Sequence, residues 1–427
     1  MMRVVRQRRF ALLWMAGLAS LLGDWAFYTV VPIFVLDETG SVFLAGMVWA
    51  VIALPSVVVG PVAGVYVDRW DRQRIMLWGN VAQAMAAAIL VVAGAGPGVW
   101  VAMTVVLVNA GLAAMILPAE NALLPTLVRE DDLTPANALN AMNDNLARIV
   151  GPPVGAVVYT QLGIEGVAVI NAASFLAAAL LVRAVGQGVG QQRARMERGA
   201  ARDGREPIWR SLRSGARIVQ HHRLLGILFL ILGLVAFADG PLAAMIVPFV
   251  DTTLGKGAEG VGAFATVRGV AGILGGIVIG QVGQRVREDR LLVVSASLNG
   301  LGFAAMALVQ DFAVACVILV VVIGPTHIGL HTTLMTLLQR GTEDAYRGRV
   351  FALVSAVTGA LFLVGTVGGS VAGDHFSPAA VFVGSGLLFL VTALAALRLV
   401  PAALVGLPRA SVPELVGTDG SGLSRES

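Results

Sequence analysis

Charge is what this sequence has least of. Asp, Glu, Lys and Arg make up 13% of its 427 residues, about half of the roughly 25% usual in soluble chains. Hydrophobic residues make up 57%, and the mean hydropathy is +0.82. That balance excludes a soluble enzyme and a nucleic-acid-binding domain. Cysteine is nearly missing: Cys316 stands alone, so no intrachain disulfide scaffold is available. No Gly-x-x-x-x-Gly-Lys-Ser/Thr loop occurs, which excludes phosphate binding by a P-loop. The apolar runs lack strand-like alternation, which argues against a transmembrane barrel.

What is present is a series of apolar runs, each meeting the roughly 18 residues needed to span a bilayer as helix. They lie near 10–36, 42–67, 75–95, 99–125, 136–161 and 166–185, then 223–249, 260–283, 291–309, 312–338, 349–373 and 379–400. The fold predicted is an all-α membrane protein whose twelve transmembrane helices form two pseudo-symmetric six-helix bundles. The expected domains are an N-terminal bundle (1–185), a cytoplasmic connector (186–222), a C-terminal bundle (223–400) and a disordered cytoplasmic tail (401–427). The first apolar run is too long for a signal-peptide core and lacks a cleavage pattern, so it is expected to be retained.

Basic residues set the expected orientation. Arginines cluster at the N-terminus, in the turns after helices 2, 4, 8 and 10, in the connector and near the C-terminus; of the 30 Lys and Arg, only Lys256, Arg148 and Arg268 lie elsewhere. The positive-inside rule then places both termini in the cytoplasm and the protein in the cell (inner or plasma) membrane. The basic pI of about 9.8 therefore reports topology, and no nucleic-acid partner is expected. An internal repeat supports the two-bundle reading, at an offset of about 216 residues. Gly17 matches Gly233, Val31-Pro32 matches Val247-Pro248, and Arg69 and Arg74 match Arg285 and Arg290. With small gaps Asp24 falls beside Asp239, and Gly151 and Gly155 match Gly365 and Gly369.

The turn after helix 2 reads Gly64-Val-Tyr-Val-Asp68-Arg69-Trp70-Asp71-Arg72-Gln73-Arg74, and helix 5 contains Gly151-Pro152-Pro153-Val154-Gly155. The first resembles the loop 2-3 signature of the major facilitator superfamily, Gly-x-x-x-Asp-Arg-x-Gly-Arg-Arg/Lys. The second resembles the Gly-Pro-x-x-Gly element of that superfamily's exporters. Gly23-Asp24, Thr39-Gly40-Ser41, Leu54-Pro55, Leu123-Leu124-Pro125 and Ala136-Asn137-Ala138-Leu139 resemble its drug and siderophore efflux branch, which includes the macrolide exporters. The resemblance implies a cytoplasmic gate in which Asp68 bonds the facing end of helix 11 and Arg72 pairs with an acid on helix 4, where Glu120 is available. Two departures stand out: Asp71 replaces the usual Gly, and the second-half copy ending in Gln284-Arg285 lacks the Asp, so the latch is expected to be lopsided. The drug-antiporter signature of helix 4, an Arg followed by Gly, is missing.

Ionisable side chains inside spans each cost about 2.5–3.5 kcal/mol at a helix centre, so each is a functional candidate. Asp24 and Asp239, on repeat-related helices 1 and 7, are expected near mid-depth lining a central cavity, where a carboxylate withdrawn from water serves as proton carrier or as counter-charge for a cation. Asp144 and Arg148 are four apart on helix 5 and share a face. Arg268 on helix 8 is a further intramembrane cation. His327 and His331 share a face of helix 10 and are read as cavity lining or proton relay. No third ligand stands near them on that helix, so no metal site is expected. Trp25 and Tyr28, beside Asp24, suit an aromatic wall for a bulky ligand.

These residues together predict a proton-coupled secondary transporter that exports amphipathic or hydrophobic small molecules by alternating access. It would act without cofactors, as a monomer, with the bilayer, protons and the substrate as partners. Two other readings accommodate the same architecture: a lipid or lysophospholipid translocator, and a membrane receptor that moves nothing.

Overall fold

The computed structural model describes residues 2–60, 63, 67, 70–93, 98–186, 208–283, 285–343 and 346–404. Among them the regular structure is helical throughout, with no strand. In chain order the long helices begin with α1 (Arg8–Thr39), α2 (Val42–Val58), α3 (Arg72–Ala93) and α4 (Gly98–Leu127). Leu133–Ala184 is interrupted at Gly163, whose φ of 68° and ψ of −170° break the axis, and so divides into α5 (133–162) and α6 (164–184). Then follow α7 (Arg223–Pro248), α8 (Gly257–Val282), α9 (Glu288–Ala307), α10 (Phe312–Arg340), α11 (Arg347–His375) and α12 (Pro378–Leu404). Ten stretches among the described residues are individually long and apolar enough to cross a membrane. Dividing one of them at Gly163 and adding the shorter apolar α2 gives the expected twelve.

Local sequence explains the ends. Ser41 caps α2 by accepting from the Leu44 amide at 3.2 Å, and Asp311 caps α10 through the Val314 amide at 2.9 Å. Asp71, which departs from the superfamily pattern, accepts from the Arg74 amide at 3.1 Å and so caps α3. A carboxylate is favoured at that position because it satisfies an otherwise orphaned helical N–H. At the other end of α1, Gly40 adopts φ 63° and returns its amide to the Leu36 carbonyl at 2.8 Å.

Sidedness is visible within single helices. On α3, Met76, Asn80, Gln83, Ala87 and Leu90 are buried, while Trp78, Met85, Ile89 and Val92 are exposed. Both sets follow the helical period. The outward stripe is large and apolar, as a lipid-facing surface must be, and the inward stripe carries polar groups that bond between helices. Gln83 Nε2, for example, donates to the Asn109 carbonyl of α4 at 3.1 Å. The chain is therefore a multi-pass membrane protein.

Small residues set how the helices meet. A Cβ on Gly155 of α5 would lie 2.5 Å from the Ala26 carbonyl oxygen of α1, and one on Gly151 would lie 2.7 Å from Trp25 Cβ. The second half repeats this: a Cβ on Gly365 of α11 would lie 2.3 Å from the Phe237 carbonyl oxygen of α7, and one on Gly369 would lie 2.4 Å from Pro241 Cα. The matched glycine pairs thus seat α5 on α1 and α11 on α7 in the same way, which is the structural content of the repeat. Close backbone approach of this kind supplies the dispersion contacts that hold helices together in lipid. The halves meet where α2 packs on α7 and α11, and where α5 packs on α8.

Between the halves, a short helix, Ile208–His221, docks on α7 and α11. Val219 is buried, and Gly215 lies against the Arg349 carbonyl. The predicted connector thus holds an ordered helix at its C-terminal end. Residues 187–207 lie outside the described residues, and so does the predicted tail beyond the last turn of α12.

Candidate transport cavity

Each half carries a cluster of ionisable side chains, and the charges of Arg148 and Arg268 bring the two within electrostatic reach of each other. On the first half, Arg148 Nε donates to Asp144 Oδ2 at 2.7 Å. The Trp25 indole N–H reaches Asp144 Oδ1 at 3.3 Å, and the Arg148 guanidinium carbon lies 4.4 Å from the Trp25 ring centroid. Trp25 therefore ties α1 to α5 twice, through a hydrogen bond and through a cation–π contact. The i, i+4 pairing of Asp144 and Arg148 was legible in the sequence. The indole's part in it was not, because the partners are 119 residues apart.

On the second half, α7 brings Asp239 to the two histidines of α10. His331 Nε2 lies 3.6 Å from Asp239 Oδ2, and His327 Nδ1 lies 3.9 Å from Asp239 Oδ1. The imidazole centroids are 4.6 Å apart. All three side chains are half-buried. The third ligand-type group thus comes from α7, while Cys316, about three turns from His327 on α10, is not part of the cluster. Arg268 of α8 is accessible to solvent, and its charge is within reach of Asp239, of His327 and, across the boundary between the halves, of Arg148.

Asp24 has a different environment from Asp239. It is buried at 7% exposure, and its Oδ1 has no hydrogen-bond partner among the described residues. Tyr28 lies one turn further on, its hydroxyl buried and within electrostatic reach of the Asp24 carboxylate. Repeat-related positions have thus diverged: one carboxylate is enclosed beside a phenol, the other stands with two imidazoles.

The cytoplasmic-gate motif is only partly visible. Gly64, Asp68 and Arg69 lie outside the described residues. Arg72 does not meet Glu120; its Nη1 donates to the Ala122 carbonyl near the end of α4 at 2.8 Å. Glu120 is buried and turns toward α1 and α5, where it contacts the Gly17 backbone position and Asn140. Arg74 is exposed. In the second half the turn between α8 and α9 carries an ion pair that sequence reasoning missed, between Glu288 at the start of α9 and Arg340 at the end of α10. Arg72 and Glu288 both open a helix and grip the end of the helix after it. The repeat offset could have revealed Glu288, had opposite charge been allowed at the matched position.

Contacts between the halves extend to the end of the bundle remote from the termini. The Phe43 amide at the start of α2 donates to Asp374 Oδ1 near the end of α11 at 3.2 Å. Thr266 of α8 donates to the Ile149 carbonyl of α5 at 3.0 Å, and Gly262 sits against the Pro152 carbonyl. Pro152 of the exporter-like element is thus at a contact between the halves, while Gly151 and Gly155 face α1.

Trp25→Ala is expected to lower stability by about 1 kcal/mol, the order of an exposed cation–π contact plus a weak hydrogen bond. Trp25→Phe should cost less, since the ring under Arg148 is kept. Thermal unfolding in detergent checks the order of the two; equal losses would mean that the indole N–H, and not the ring face, holds the pair.

Twelve apolar helices in two repeat-related halves, each half carrying a charged cluster, form a transporter architecture rather than an enzyme's. A model of the Major Facilitator Superfamily matches residues 13–345 and 228–417, and the chain belongs to that family. It is 24% identical over 396 residues to macrolide efflux protein A of Streptococcus pyogenes, covering 90% of this chain and 94% of that protein. It is 25% identical over 313 residues to multidrug resistance protein MdtG of Yersinia enterocolitica, covering 72% and 71%. The fold is shared with the nucleoside transporter NupG (TM-score 0.73, 13% identity, 92% of this chain and 99% of that one). It is shared also with a bacterial homologue of the iron transporter ferroportin in an inward-facing state (TM-score 0.68, 17% identity, 92% and 99%). The chain is a transporter of this superfamily, with macrolide-efflux and multidrug relatives.

Proposed function

We propose that this transporter exports amphipathic or hydrophobic small molecules, of the macrolide, drug or siderophore kind, in exchange for protons. The observation that carries the reading is the pair of charged clusters on opposite walls of one cleft, Asp144–Arg148–Trp25 facing Arg268–Asp239–His327–His331. Each charged group inside a span costs about 2.5–3.5 kcal/mol, which makes it a functional candidate by default. The macrolide and multidrug names of the relatives point to the same substrate class.

In this reading the halves (1–185 and 223–400) rock about the cleft as a monomer, with both termini in the cytoplasm, as the arginine bias requires. The enclosed Asp24 carries the proton. Trp25 and Tyr28 offer aromatic surface to the substrate, Gly151 and Gly155 keep α5 close to α1 while it moves, and Pro152 lies at the contact with α8. One proton descending 100 mV supplies about 2.3 kcal/mol, enough for a modest substrate gradient.

The test is transport in proteoliposomes with an imposed pH gradient, using a labelled macrolide and a fluorescent lysolipid. Macrolide accumulation driven by the gradient, and abolished when a protonophore collapses it, is expected. Movement of lysolipid alone, indifferent to the gradient, would overturn the reading in favour of lipid translocation.

A further inference from the structure

We propose that Asp239, His327 and His331 form a binding site for a divalent transition-metal ion on the wall of the cleft. The carboxylate and imidazole atoms of the three residues all lie within 4.8 Å of one another. Their closest approaches, 3.6 and 3.9 Å, are too long for hydrogen bonds. His327 Nδ1 is buried without a hydrogen-bond partner among the described residues. Three donor atoms converge, then, without satisfying one another. An ion bonded at about 2.0–2.2 Å to imidazole and carboxylate fits between such atoms after a small inward movement of the side chains.

The backbone holds the donors in place. His327 and His331 are one turn apart on α10, directly after Leu319–Ile323, where that helix widens to a π-helical turn, and Gly324-Pro325. Gly324 is pressed against Ala271 of α8, which fixes the start of the turn that bears the histidines. Asp239 precedes Gly240, whose missing side chain lets α7 lie on the Thr366 amide of α11. Two helices that cannot slide freely therefore present the three groups to a single point.

Two imidazoles and one carboxylate suit zinc, cobalt, nickel or iron(II) rather than magnesium or calcium, which prefer all-oxygen shells. Three protein ligands leave at least one coordination position open. The three side chains are only half-buried, so that position is available to water or to the donor atoms of a small molecule. Arg268 is the opposing influence: its charge acts on both Asp239 and His327. Bound metal and Arg268 therefore compete for Asp239, and removing the arginine should tighten binding.

The experiment uses the full chain, purified in detergent with any affinity tag removed, and titrates Co2+ while recording its visible absorption. One Co2+ per chain, displaced by Zn2+, is expected. His327→Ala and His331→Ala should each weaken binding about tenfold or more, a loss at least as large as that of an outer-shell partner. Arg268→Gln should strengthen it. The double variant His221→Ala/His222→Ala, which removes the adjacent pair at the connector, should change nothing. Zn2+ should also raise the unfolding temperature of the wild type and of Arg268→Gln, but not that of His331→Gln, which keeps the size of the side chain if His331→Ala fails to fold. Equal Co2+ binding by the wild type and His331→Gln, or none by the wild type at millimolar Co2+, would overturn the proposal. These readouts need no transport, so they stand apart from the question of proton coupling.

Discussion

Gly155→Leu is expected to abolish transport and sharply reduce the yield of folded protein. A Cβ at that position would meet Ala26 at 2.5 Å (O), 2.9 Å (C) and 2.9 Å (Cα). All three are backbone atoms, and no rotamer change relieves them. Overpacking a tight contact costs about 1–3 kcal/mol when side chains can yield; here a helix must move, so the loss should lie at or above the top of that range. Gly365→Leu should behave alike, because its neighbour is the Phe237 carbonyl of α7. Gly368→Leu is the matched control: nothing lies within 4 Å of its Cβ position. Thermal unfolding in detergent should place Gly155→Leu and Gly365→Leu together, well below Gly368→Leu. If Gly155→Leu and Gly368→Leu unfolded at one temperature, α1 and α5 would not be in backbone contact.

That glycine pairing also shows what the sequence made legible. Helix number and order follow from hydropathy, which is a local property, and the match of Gly151 and Gly155 to Gly365 and Gly369 followed from a repeat that needs no knowledge of contacts. Interactions between distant helices were harder to foresee. Asp144 and Arg148 announce themselves by spacing, but Trp25 reaches them from another helix. His327 and His331 share a face, yet Asp239 joins them from α7, where nothing in the local sequence points to α10. Arg72 was assigned an acid through the family resemblance, whereas a guanidinium is equally well served by an orphaned carbonyl near a helix end, here that of Ala122. Asp71 looked like a loss from the motif and is instead a cap, since capping depends on backbone geometry at one residue.

Asp24→Asn is expected to uncouple the transporter without unfolding it. Asparagine has nearly the size and shape of aspartate, so the packing of α1 is kept. The carboxylate is enclosed at 7% exposure, and its Oδ1 has no hydrogen-bond partner, so no described bond to that oxygen is lost. An unpaired charge in such a place is costly, and its neutralisation should leave stability unchanged or raise it slightly. What asparagine lacks is a proton to take up and release. Accumulation driven by the pH gradient should therefore fall to background, while substrate exchange between equal pools, which needs no net proton movement, should continue. Tyr28→Phe, which removes a hydroxyl within electrostatic reach of the carboxylate, should change the pH at which accumulation is half-maximal and leave exchange intact. Proteoliposome accumulation and exchange assays, run beside an unfolding curve, separate these outcomes. An Asp24→Asn protein that accumulates substrate at the wild-type rate would remove Asp24 from the coupling path. Glu120, a second buried carboxylate within a span of the first half, would then take its place as the residue to test.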